Sequence, residues 1–165
     1  AFIERAYDET DMDVITEILT KLDAMSNHTS FLLRIEAGDE VFLTAADSCP
    51  GDWDEVDISL LKNVTVLIMP RQGQVDSMSK QFMGDMPLRY VITTASSDRR
   101  YRSANAEVYE RLLAMCPANR PPQFLFTDER SYPPYFHQPD GFQAITLVID
   151  SGSITPEFIK FTTKH

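Results

Sequence analysis

Behind Thr10, the apolar residues Val14, Ile15, Ile18, Leu19, Leu22 and Met25 recur at steps of three and four, with Glu17, Lys21 and Asp23 between them. That spacing predicts an amphipathic helix over about 11–25, and Thr10 with Asp13 resembles a capping box in which Asp stands in place of Glu. Phe31, Leu33 and Ile35 then alternate with Leu32 and Arg34, and Val41-Phe42-Leu43-Thr44 follows after Gly38. This is the pattern of a β-hairpin turning at the glycine. Val64 to Met69 is short, almost wholly apolar and β-branched, the signature of a strand buried on both faces, and Pro70 ends it. A short helix over Val75 to Met83 would turn Met78, Phe82 and Met83 inward. A strand follows Pro87, from Leu88 to Thr94.

Ser103 is placed to cap a further helix carrying Val108, Tyr109, Leu112, Leu113 and Cys116 on one face, with Pro117 as its stop. Gln123 to Thr127 reads as a strand, and Phe142 to Asp150 as the last central strand, with Ile145, Leu147 and Ile149 on one side. In the tail, Thr155-Pro156-Glu157 fits a helix start, Pro being favoured at the first helical position. The β-branched and aromatic run from Phe158 to Thr163 fits an edge strand equally well. Alternation of strand and helix from residue 64 onward implies an α/β (or α+β) fold, with a mixed, largely parallel sheet flanked by helices and preceded by an N-terminal helix and β-hairpin. A β-sandwich with two helices is the alternative. Uneven spacing of the apolar runs and the missing Asn ladder argue against a leucine-rich solenoid. No repeat or long linker divides the chain, so residues 1–165 are expected to form one globular domain.

Composition narrows the function more than the fold. Hydrophobic residues at 43% and charged residues at 24% are ordinary for a globular chain. A net charge of −10 argues against a uniformly basic nucleic-acid binder. The one basic aromatic patch, Arg99-Arg100-Tyr101-Arg102 with Arg89 upstream, suits carboxylate partners as well as phosphates. No apolar run approaches the roughly 20 residues of a membrane span. The opening residues turn acidic at Glu4, too early for a secretory leader, which with only two cysteines favours an intracellular or viral setting.

Catalytic constellations are hard to assemble from these residues. Cys49 lies among carboxylates, which raise a thiol's pKa, and Cys116 falls on the inward face of its helix. His28, His137 and His165 have no paired metal-ligand spacing, and no G-x-S-x-G, P-loop or dinucleotide fingerprint occurs. Asp47, Asp52, Asp54, Glu55 and Asp57 crowd one loop, but without the order of a calcium loop they read as a solvated acidic segment. No catalytic residue, metal or cofactor is therefore assigned.

The least ordinary stretch is Ser131 to Gly141, where prolines and aromatics share a loop. Proline lowers the entropy lost on ordering, and Tyr is favoured where partners meet. Tyr132, Tyr135, Phe136 and Phe142 are thus the expected contacts of a non-enzymatic interaction or assembly subunit, bound to another protein chain or to copies of itself. Two other readings stay open. One is a small enzyme or ligand-binding domain for a phosphate-bearing or other anionic molecule, using strand-end residues Arg71, Thr94, Ser96, Ser151 and Ser153. The other is a secreted domain with a Cys49–Cys116 bridge and glycans on the sequons at Asn27 and Asn63.

Overall fold

The computed structural model describes residues 10–27, 29–78, 86–94, 103–127, 139 and 141–161. Helix α1 spans Met12–Asn27, and β1 (Leu33–Ala37) and β2 (Glu40–Thr44) form the expected hairpin. A one-turn helix α2 (Pro50–Trp53) and a 3-10 turn (Ile58–Leu61) lead to β3 (Val66–Ile68). After a second 3-10 turn (Pro70–Gly73) come β4 (Tyr90–Thr93), α3 (Ala106–Met115), β5 (Gln123–Phe126), β6 (Ala144–Asp150) and β7 (Ser153–Ile159). The fold is α/β, with a five-stranded mixed sheet in the order β1-β2-β3-β4-β5 and a separate two-stranded sheet of β6 and β7.

Within the five-stranded sheet, β1 runs antiparallel to its neighbour and β2 to β5 are parallel, with Leu43, Leu67, Val91 and Phe124 in one cross-strand row. Each step from β2 to β5 moves one place in the same direction. Crossovers of uniform right hand then all fall on one face of the sheet. The buried core bears this out. It joins Val41, Leu43, Leu67, Val91, Phe124 and Phe126 from alternate strand positions to Trp53, Leu61, Met78, Val108, Tyr109 and Leu112 from the three connections. The opposite face carries Phe42, Ile68, Tyr90 and Ile92, all half-buried. The β6–β7 hairpin meets the chain on this side, its Ile154 carbonyl accepting from the Tyr90 hydroxyl at 2.9 Å.

Several local expectations need correction. The side chain that caps α1 is Asp11, accepting from the Asp13 N–H at 2.9 Å. Asn105, not Ser103, caps α3 through the Glu107 N–H, because Ser103 is drawn into the buried loop one step earlier. Val75 to Met78 form a turn and bend rather than a helix, and Phe82 and Met83 lie outside the described residues. Phe142 to Asp150 is not a central strand: β6 pairs with β7 from Ala144↔Ile159 to Asp150↔Ser153. Ser153–Ile159 is accordingly a strand, with Pro156 at a position where its missing N–H costs no ladder bond.

Candidate functional site

The carboxyl ends of β2, β3 and β4 are joined by loops that bond to one another. Ala46, Arg71, Gln72 and Ala104 all hold left-handed backbone, with φ of 46°, 46°, 49° and 50°. Such strain in non-glycine residues persists only where the surroundings enforce it. Here the enforcing bonds are visible. The Arg71 N–H donates to the Ala46 carbonyl at 2.9 Å, and the Ala104 and Asn105 N–H groups donate to Gln72 and Gly73 at 2.8 and 2.9 Å. Gln72 Nε2 adds a bond to Asp47 Oδ1 at 2.9 Å. The strained residues stack successive loops.

Arg71, the cation named for the anion-site reading, has its charge engaged within this layer. Nη1 lies 3.1 Å from Cys49 Sγ, and Nε is 3.5 Å from Asp76 Oδ1. Thr94 is exposed just beyond β4, and Ser96 lies outside the described residues. Ser151 and Ser153 belong elsewhere. Ser151 (φ 45°) and Gly152 (φ 84°) are the two central residues of the β6–β7 turn, both with the positive φ that a type I′ hairpin turn requires. A side chain added at Gly152 would meet Asp39, in the β1–β2 turn, at 3.3 Å. That turn stands at the amino end of β2. The serines are therefore at the opposite end of the sheet from Arg71 and Thr94. Their hydroxyls donate locally, Ser151 to Asp150 Oδ1 and Ser153 to the Asp150 carbonyl, at 2.9 and 2.8 Å.

The cysteines are parted in the same way. Cys49 sits beside Arg71 at the carboxyl ends. Cys116 ends α3 and lines an open cleft of about 360 Å³ with Asn63, Met86, Pro87, Leu88, Pro117 and Arg120. Both are free thiols, so the bridge of the secreted reading does not form. Burial pushes the Cys116 thiol above its ordinary range, which disfavours the nucleophilic thiolate. Asn63, in the second sequon, is an exposed turn residue with φ 62°. In the acidic loop, Asp52 accepts from the Cys49 N–H and Asp57 from the Ser59 N–H, which holds the Asp57 carboxyl below its usual range. These carboxylates face separate partners, and among the described residues no three metal-binding side chains gather.

The interaction reading named one surface, and the structure shows a second. Tyr132, Tyr135 and Phe136, like the basic patch at 99–102, lie outside the described residues. Phe142 is 4% exposed, and its ring meets Phe158 edge-on at 5.0 Å, so its apolar area goes into the chain's own packing. The second surface is one the strand pattern left unread. Phe31, Leu33 and Ile35 project from the β1 segment with exposures of 75%, 45% and 48%. Pairing Ile35 with Phe42 sends this row to the face away from the core, and gives the core side to Leu32, Arg34 and Glu36. Alternation alone shows that one face of the strand is apolar and leaves open which face meets the core. No family model, curated protein or solved structure matches this chain.

Proposed function

We propose that the chain is a non-enzymatic interaction or assembly domain whose partner is another protein chain. The observation that carries this reading is the row Phe31, Leu33 and Ile35, three large apolar side chains held outward at the edge of the sheet. Contiguous apolar surface of this kind is retained where a partner covers it. The loop from Ser131 to Gly141 supplies a second contact in this reading, with Tyr132, Tyr135 and Phe136 as aromatic anchors. The net charge of −10 keeps the free chain apart from unsuited partners. The ligand-binding alternative loses support because its serines and its arginine stand at opposite ends of the sheet.

The test is a photoreactive phenylalanine analogue at Tyr135 together with the triple variant Y132A/Y135A/F136A. The analogue should link to a separate protein chain. The triple variant should weaken that association at least about tenfold, the scale of a lost hot spot, while the melting temperature stays nearly constant. Links formed only within one chain, or a collapse of stability with association unchanged, would overturn the proposal.

A further inference from the structure

We infer that β1 pairs with the β1 strand of a second copy of this chain, antiparallel about a two-fold axis through Ile35, so that two five-stranded sheets join edge to edge. This rests on the interaction reading above and names its partner. Among the described residues, β1 is the terminal strand of the sheet, with β2 on one side only. Ala37 and Glu40 flank the two-residue turn Gly38-Asp39, and the register continues through Ile35↔Phe42 and Leu33↔Thr44. In an antiparallel hairpin with such a turn, the flanking pair exchanges both main-chain bonds and every second pair repeats this. Leu33, Ile35 and Ala37 therefore direct their main-chain groups to β2. Arg34 and Glu36 direct theirs to the open edge.

Charge then selects the register. With the axis through Ile35, Arg34 lies opposite the partner's Glu36 and Glu36 opposite the partner's Arg34. Both pairs sit at main-chain bonding positions, which gives four main-chain hydrogen bonds. Axes through Arg34 or through Glu36 would instead set like charges against each other, which destabilises cross-strand pairs. Charged residues usually guard an edge strand by repelling its own copy. Here the two charges are opposite and two residues apart, so the strand is complementary to itself. Arg34 is already held in place: Nη2 and Nε reach Glu36 Oε1 at 2.7 and 3.0 Å, and Nη1 donates to the Leu60 and Lys62 carbonyls at 2.8 and 2.9 Å. On the other face, Ile35 meets the partner's Ile35 and Leu33 meets the partner's Ala37, covering much of the exposed row.

Five paired residues make a small interface beside the roughly 1,600 Å² of a standard one. Association is accordingly weak and is read by sedimentation of the full chain from low micromolar to about 200 µM, on either side of a Kd in that range. The wild-type chain should shift to dimer with concentration. Ile35→Lys puts two cations at the axis and should stay monomeric, while Gln123→Lys, exposed on β5 at the other end of the strand order, should dimerise as wild type. R34E and E36R should each be monomeric alone and form a heterodimer when mixed, with circular dichroism and melting confirming that each is folded. Across a non-hydrogen-bonded pair the Cα atoms lie about 4.5 Å apart, within disulfide range. Ile35→Cys should therefore form a 35–35 disulfide under mild oxidation, identified by peptide mass. A wild-type chain that stays monomeric at the highest concentration overturns the inference, as does a dimer that survives I35K. A monomeric chain whose Tyr135 probe still links to a different protein would remove this pairing and leave the interaction reading in place.

Discussion

At the scale of single residues, Tyr109 is closely packed on several sides. Its ring is fully buried and meets Phe124 and Phe126 edge-on, at 5.3 and 5.4 Å. Its hydroxyl lies 2.6 Å from Thr93 Oγ1, itself buried. Gly73 closes over the same group. A methyl there would run into the Tyr109 hydroxyl and come within 3.4 Å of the Ala104 backbone, at a φ of 70° that disfavours any side chain. Tyr109→Phe leaves the Thr93 hydroxyl buried without its bond and should cost about 1–3 kcal/mol. Gly73→Ala adds backbone strain to a clash with rigid neighbours, and should lose more than Tyr109→Phe. Thermal melts of the two variants rank these costs. A Gly73→Ala protein as stable as wild type would mean that the loop layer over Tyr109 yields freely.

Between elements, the bond with the clearest energetic consequence is the ion pair of Arg89 with Glu40. Glu40 opens β2 and is 1% exposed; Arg89 precedes β4, so the pair bridges over β3. Among the described residues, Glu40 Oε2 has no hydrogen-bond partner. Removing Arg89 would strand a buried carboxylate, and Arg89→Ala should cost about 3 kcal/mol, whereas the double change E40L/R89M should recover most of that loss in a denaturant titration. A single variant as stable as wild type would show the carboxylate reaching water. This pair, whose partners are 49 positions apart in the chain, had no sequence signal. The elements around it did. Helices α1 and α3 and strands β3, β4 and β5 follow from local apolar spacing; α3 and the strands bury the run that marks them, whereas in α1 Ile18 is buried and Leu19 and Met25, expected on the same stripe, are exposed. The β6–β7 hairpin did not, since alternation at Ile145, Leu147 and Ile149 says a strand exists and not which sheet it joins. Pro156 pointed to a helix, and the two-residue turn at Ser151-Gly152 outweighs it by fixing seven pairs in register. The outward row of β1 was hidden for a related reason: a period of two shows that one face is apolar and leaves open which face meets the core.

Over the whole molecule, the order of strands decides where a small ligand has room. Open α/β sheets bind ligands where the strand order reverses and neighbouring loops part. From β2 to β5 the order never reverses, and the loops at the carboxyl ends are drawn together by main-chain bonds between Ala46 and Arg71, Gln72 and Ala104, and Gly73 and Asn105. The residues of the anion-site reading are also divided between the two ends of the sheet. Inorganic phosphate, nucleotides and dinucleotides at about 1 mM should therefore leave the melting temperature unmoved. The expectation has a scale: a ligand of about 10 µM Kd would be at 100-fold excess and would add about 2.7 kcal/mol to the native state. For a chain of this length that raises the melting temperature by roughly 5–10 °C, well above what a dye-monitored melt resolves. A shift of that size, abolished by Arg71→Ala, would place an anion at the carboxyl-end loops and reopen the enzymatic reading.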